Sequence, residues 1–287
     1  MKHKILPLAA LILLFYALKL SVYAIKSDGG KFYISFLDVG QGDAILVSTP
    51  SGKKVLIDGG PNYEIDSYIS DIFPPLFCNF EGIVLTHPHS DHLYGLNRVI
   101  KRCTAGTIYF DSKVYNSSMF EMWLSETDNM HLGTLYSGDS FEVDGVKFYA
   151  LWPKRENTES KDSGIEEDSI ILLVDYKDFE AVLTGDAGSN VLAQIDIDSY
   201  SGLIQGGLDV LKVAHHGSIN SLQTDFLKAA SPKYAVFSVG KDNKYGHPSS
   251  EVVNYLRGLG SEILRTDESG TIKFVYDNSS VLLFKGN

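Results

Sequence analysis

Thr86-His87-Pro88-His89-Ser90-Asp91-His92 follows the apolar run Ile83-Val84-Leu85, and the fold is read outward from this stretch. Three histidines and a carboxylate fall within six positions, in a chain with 8 His among 287 residues. Imidazole nitrogen and carboxylate oxygen are the donors that zinc, manganese and iron take. A buried strand ending in a turn aims His87 and His89 to one side and Asp91 with His92 to the other, which suits two adjacent ions. A polar surface loop that gathers histidines by chance is the competing reading, and the spacing argues against it.

Further candidate donors stand where apolar runs end. Asp186 closes Leu183-Thr184-Gly185-Asp186, from which a carboxylate emerges at a sheet edge, although Gly-Asp is also an ordinary turn. His215-His216-Gly217-Ser218 follows Leu208–Ala214 and offers two imidazoles at a strand–helix junction, with Ser218 as an N-cap in the plainer reading. His247 lies in Lys244-Tyr245-Gly246-His247-Pro248 after the next strand. Asp58 ends an early strand in Asp58-Gly59-Gly60, placed to orient a ligand rather than to be one. Lys212, two residues before Ala214, can reach a phosphate or simply extend to water.

From residue 32 the chain alternates short β-rich runs with amphipathic stretches. Strands are expected at Phe32–Val39, Ala44–Ser48, Lys54–Asp58, Ile83–Thr86, Ile108–Phe110, Ser140–Val143, Val146–Leu151, Ile170–Asp175 and Glu180–Thr184. Later ones are expected at Asp209–Val213, Tyr234–Val239, Ile263–Thr266, Thr271–Tyr276 and Val281–Phe284. Helices suit Glu64–Phe73, His92–Lys101, Ser117–Ser125, Ser189–Ile195, Ser221–Ala229 and Ser249–Leu259, and Pro153–Asp168 reads as an exposed acidic loop. Two β-rich halves with helices outside imply an α/β fold of two stacked sheets, a four-layer αββα sandwich over 31–287.

The N-terminus is set apart. Lys2 and Lys4 precede the apolar run Ile5–Leu18, and small residues follow at Ser21–Ala24. Residues 1–24 therefore read as a secretory signal peptide, or as an uncleaved membrane anchor with Lys19 reaching the interface. Either places the rest of the chain outside the cytoplasm, secreted or at the cell surface. The first 24 residues hold three lysines and no acid, which leaves 22 basic against 36 acidic residues, a formal charge of −14. An acidic body repels long polyanions, so a phosphodiester substrate must be held by metals and a local basic rim. Cys78 and Cys103 can pair in an oxidising compartment, but two buried free thiols is the expected state.

Taken in order, these motifs resemble those of the metallo-β-lactamase-fold hydrolases. Within them, Phe36-Leu37-Asp38-Val39-Gly40-Gln41-Gly42-Asp43-Ala44, Leu211–Ser218 and Tyr245–Pro248 resemble the ComEC/Rec-type branch, over about Lys31 to the C-terminus. The polytopic channel part of ComEC has no counterpart here, so DNA translocation is not inferred. The resemblance implies two divalent ions, zinc or manganese. His87 and His89 would hold the first, Asp91 and His92 the second, and Asp186 would bridge them. His216 would meet the scissile phosphate and His247 would complete the second site, with His215 or His216 as the alternative late ligand. Many members of the fold carry one more histidine near Ser163–Ser169; this chain has none there, and Asp168 or water would substitute. An oxygen-rich first site keeps manganese competitive with zinc.

The chemistry expected is hydrolysis of a phosphodiester, DNA being favoured, with Asp91 orienting the attacking water and Lys212, His215 and His216 around the phosphate. A β-lactam, lactone or thioester is the alternative substrate, and a metal- or DNA-binding module without turnover the non-enzymatic one. Membrane contact is expected only through the N-terminal segment, and no protein partner is expected.

Overall fold

Most strands of this chain are buried on both faces, which requires a layer on each side of every sheet. The computed structural model describes residues 10–15, 29–74, 77–111, 113, 115–158, 166–200, 202–204, 207–277 and 279–286. Its strands run, in chain order, β1 (Phe32–Phe36), β2 (Ile45–Ser48), β3 (Lys54–Ile57), β4 (Asn79–Val84), β5 (Thr104–Phe110), β6 (Leu132–Thr134), β7 (Ser140–Val143) and β8 (Val146–Trp152). They continue as β9 (Ile171–Tyr176), β10 (Phe179–Leu183), β11 (Val210–Lys212), β12 (Tyr234–Phe237), β13 (Glu262–Arg265), β14 (Ile272–Asp277) and β15 (Ser280–Lys285).

One sheet has the order β15-β14-β1-β2-β3-β4-β5-β6 and the other β13-β12-β11-β10-β9-β8-β7. Each is antiparallel in one half. The other halves, β3 to β6 and β10 to β13, are parallel. Alternation with period two then sorts the side chains. Phe32, Ile34, Phe36, Ile45, Val47, Val55 and Ile57 meet Phe179, Ala181, Leu183, Leu172 and Val174 between the sheets. Tyr33, Leu46, Leu56 and Ile83 face outward instead. They lie under helices α1 (Ile65–Ile72), α2 (Ser90–Arg102) and α3 (Ser118–Glu126). On the second sheet Ile171, Leu173 and Val182 face out, under α4 (Thr224–Ala230) and α5 (Ser250–Gly258). The architecture is the αββα sandwich expected.

Some boundaries moved for local reasons. The helix expected from Ser221 starts at Thr224, because the Ser221 hydroxyl donates to the carbonyls of Ala214 and Ser218 and holds a 3-10 turn. The three-residue edge strand β6 was not anticipated. Of the Pro153–Asp168 loop, a short helical turn at Arg155–Thr158 and a 3-10 turn at Glu166–Asp168 are described, and 159–165 lie outside the described residues. Most of the N-terminal segment also lies outside them; residues 10–15 are helical and exposed. Among the described residues no helix is long and apolar enough to cross a membrane.

The expectation of two free thiols is overturned: Cys78 and Cys103 form a disulfide. Cys78 directly precedes β4 and Cys103 directly follows α2, so the βα unit brings the two sulfurs together at its base. Cross-linking residues 25 apart in sequence removes roughly 3 kcal/mol of loop-closure entropy from the unfolded chain.

Candidate metal centre

The parallel halves of both sheets point their C-terminal ends to one side, where open α/β sheets bind ligands. β4 delivers His87 and His89 and then the first turn of α2, with Asp91 and His92. Across the sandwich β10 delivers Asp186 and β11 delivers His215 and His216, while β3 ends at Asp58. Close backbone contact sets the depth of α2: a side chain on Gly95 would collide with the Gly59 carbonyl, and the Gly59 amide donates to the His92 carbonyl at 2.8 Å.

Three donor sets result among the described residues, of which two share Asp186 and the third, Asp43, Asp58 and His92, lies behind them. Asp91, His92, Asp186 and His216 bring one donor atom each to within 4.8 Å of one another, and His87, His89 and Asp186 do the same. His92 Nε2 lies 3.3 Å from Asp186 Oδ1, and His216 Nε2 lies 3.4 Å from Asp91 Oδ2 and 3.5 Å from Asp186 Oδ2. On the other side His87 Nε2 stands 3.8 Å from Asp186 Oδ2, with the His89 ring edge-on to His87 at 4.7 Å. His87 Nε2, His92 Nε2, His216 Nε2 and Asp186 Oδ1 are buried without a hydrogen-bond partner among the described residues. Such atoms are costly unless something completes them. Nitrogen and carboxylate donors converging in this way fit divalent metal ions.

The far nitrogens fix the tautomers. His92 Nδ1 donates to Asp58 Oδ2 at 2.7 Å, and His216 Nδ1 donates to the Ser238 carbonyl at 2.8 Å. Both arrangements leave Nε2 with its lone pair toward the cluster. Asp58 is itself held by the Thr86 amide at 2.8 Å and hydroxyl at 2.7 Å. Asp58, His215 and His216 all adopt left-handed backbone, with φ of 58°, 49° and 54°. Strain of this kind concentrates at functional sites.

Burial opposes charge on all these groups, and their neighbours decide the outcome. Against desolvation, Asp186 and Asp58 raise the His92 imidazole well above its ordinary value, and Asp186 with Asp91 raises His216. Burial and then the His92 charge push His87 well below it. Asp186, despite burial, is held well below the usual carboxylate range by His216 and His92.

Lys212 corrects the sequence reading. It is fully buried, with Nζ 2.5 Å from Asp43 Oδ2, 2.9 Å from the Gly185 carbonyl and 3.7 Å from Asp186 Oδ1. It neutralises carboxylates beneath the cluster and neither reaches a phosphate nor extends to water, because it is the inward residue of a strand covered on both faces. Asp43, its partner, was given no role from sequence; a lysine inside an apolar strand was the signal that an acid must face it.

Asp168 joins none of these donor sets among the described residues. It is buried in an ion pair with Lys113 at 2.5 Å, apart from both sets. Its neighbour Ser169 is closer to the cluster: the Asp186 amide donates to its hydroxyl at 3.1 Å. The division of the late histidines also changes. His216 closes the second set, because its left-handed backbone turns the ring inward. His247 joins neither set; half-buried, it meets His215 edge-on at 5.8 Å. His215 stands nearer the surface, 21% exposed, with Nε2 3.8 Å from Asp186 Oδ2.

The sequence profile described as Metallo-beta-lactamase superfamily matches residues 37–241. The chain belongs to the metallo-β-lactamase superfamily. Over 281 residues it is 27% identical to ComE operon protein 3 of Bacillus subtilis (strain 168), a match covering 90% of this chain and 34% of that protein. Over 246 residues it is 30% identical to Competence protein ComA of Neisseria gonorrhoeae, covering 84% and 32%. The chain thus spans about a third of the length of these relatives, which are ComEC-type competence proteins, the branch its motifs resemble. Among solved structures, the metallo-β-lactamase fold protein YhfI from Bacillus subtilis aligns with a TM-score of 0.53 at 11% identity, covering 89% of this chain and 100% of that one. That likeness speaks to fold alone. In broad class the chain is a metallo-β-lactamase-superfamily protein with competence-protein relatives.

Proposed function

We infer that the chain is a dinuclear metal-dependent phosphodiesterase, with DNA as the favoured substrate, acting outside the cytoplasm. The observation that carries the reading is the pair of donor sets sharing Asp186. Two divalent ions held there would supply Lewis acidity toward phosphoryl oxygens and lower the pKa of bound water.

The chain's own groups do the rest. His87, His89 and Asp186 would hold one ion; Asp91, His92, His216 and Asp186 would hold the other. Asp58 and the Ser238 carbonyl keep His92 and His216 in the ligating tautomer. Lys212 offsets the negative charge of Asp43 and Asp186 under the cluster. His215, at the open side, is placed to contact the phosphate or give a proton to the leaving oxygen, with His247 beside it. Two imidazoles and a carboxylate on the first side keep manganese competitive with zinc.

The test is cleavage of linear single-stranded DNA by the purified chain with manganese or zinc, against an Asp186→Asn control. Equal yields from both proteins sink the reading. A panel of chromogenic phosphodiester, lactone and cephalosporin compounds separates it from acyl-bond hydrolysis, and turnover of none leaves only a binding module. The disulfide supports location in an oxidising compartment, where such bonds persist. The N-terminal apolar run then serves as signal peptide or anchor. N-terminal sequencing of the mature protein distinguishes the two, and a protein recovered in the cytosol with its full N-terminus contradicts both.

A further inference from the structure

The surface of α2 carries a second group of residues beyond the donor cluster. Asp91, Tyr94, Arg98 and Lys101 recur at helical spacing, so one face leads from the cluster down the helix. Tyr94 meets the exposed Tyr63 edge to face, with ring centroids 5.5 Å apart and hydroxyls 2.7 Å apart. Arg98 lies 4.9 Å over the Tyr63 ring. With Lys101, and with Met119 from α3, these residues line a cavity of about 460 Å³.

Asn97 lines the same cavity. It is 5% exposed, and neither the nitrogen nor the oxygen of its carboxamide has a hydrogen-bond partner among the described residues. Burying an amide without partners is unfavourable, so the group awaits a complement. A carboxamide presents donor and acceptor side by side, which matches the edge of a nucleobase. Tyrosine rings offer stacking faces for the same ring. The rim does not select for charge, since Arg98 is bonded to Asp66 at 2.9 Å and Lys101 pairs with Glu126 at 3.2 Å.

We propose that this cavity is a nucleobase-binding subsite, in which an uncharged heteroaromatic ring stacks on one of the two tyrosine rings, Tyr63 or Tyr94, and meets the other edge to face, while its own edge bonds the Asn97 carboxamide. Tyr94 is three residues from Asp91, about 4.5 Å along the helix axis. A base seated there thus belongs to a strand whose neighbouring phosphate lies toward the donor cluster. That last step rests on the phosphodiesterase reading; recognition of the base does not.

The test is a titration of the full chain, in EDTA so that no turnover intervenes, with three probes: 2′-deoxyadenosine, a deoxyadenosine hexamer, and an abasic hexamer of equal charge. The hexamer with bases should bind more tightly than the abasic one. Of Tyr63→Ala and Tyr94→Ala, the one that removes the stacked ring should cut that preference by roughly 5- to 150-fold, the range for loss of one stacked base, and the other should cut it by less. Asn97→Leu should weaken deoxyadenosine and the base-bearing hexamer alike while leaving the abasic strand unchanged. Tight binding of deoxyadenosine with no gain from the strand supports the cavity but makes a free nucleoside its ligand. Equal binding of both hexamers overturns the proposal. So does an Asn97→Leu variant that melts higher and binds as the parent does, since the amide would then be only an unfilled polar group. Base binding in this titration together with no cleavage in the metal-supplemented DNA assay would remove the phosphodiesterase reading and leave this subsite standing.

Discussion

The His92–His216 side of the donor cluster and the His87–His89 side use the same ligand chemistry with different support. On the first, each imidazole is aimed by a short bond from its far nitrogen, to Asp58 at 2.7 Å and to the Ser238 carbonyl at 2.8 Å. On the second, His87 Nδ1 has the Thr86 hydroxyl at 3.1 Å and the Ser169 hydroxyl at 3.5 Å, and the half-buried His89 ring makes no hydrogen bond among the described residues. One side is preorganised and four-donor; the other is looser and three-donor. The difference teaches that the two donor sets are not equivalent, and that the histidine motif alone does not rank them.

The widest break in this asymmetry comes from Asp186→Ala, which strikes both sides at once. Metal content should fall at both sites by elemental analysis, and hydrolysis by at least about 10³-fold, since the ions supply several kcal/mol of transition-state stabilisation. A variant that keeps two ions per chain refutes the shared ligand. Next, Lys212→Met leaves Asp43 and Asp186 buried without their cation. Urea unfolding should show a loss of about 3–5 kcal/mol, and an unchanged midpoint would mean that the pair carries no stability.

Asp58→Asn sharpens the contrast, because it touches only the better supported side. Affinity for the ion there should drop about 10- to 100-fold with the His87–His89 ion retained, as read by chelator competition. The smallest effect is in pH. His92 and His216 are held protonated above the ordinary histidine range, whereas His87 is held neutral. Protons therefore compete with the ion mainly on the His92 side. As pH falls, that side should begin to lose affinity already above 6.5, before the His87 side does, releasing more protons per ion in calorimetry across buffers. Equal proton release on both sides would remove the distinction.

Legibility followed the range of the interactions. Strand ends with Asp58, Asp186 and the histidines were readable because apolar runs stop where the polar residues begin. The Asp43–Lys212 pair was not, since its members are 169 positions apart and only the folded sandwich brings β11 under the β1–β2 turn. The exchange of His216 and His247 depends on two successive left-handed residues, which no propensity favours for histidine. Strand β6 is too short, at three residues, to show a period. The disulfide was open because two cysteines state that pairing is possible and nothing about distance.

That disulfide closes a covalent ring, residues 78–103, whose contents are β4, the whole histidine motif and α2. Its knot lies at the end of β4 remote from the donors. Local opening of this region therefore swings the helix about a tether instead of detaching it, and the four motif donors stay within reach of one another throughout. Amide exchange around residues 86–93 should be slow even in chelator and should quicken on reduction before the second sheet responds. The ring makes readiness for metal a property of the covalent chain rather than a gift of the ion.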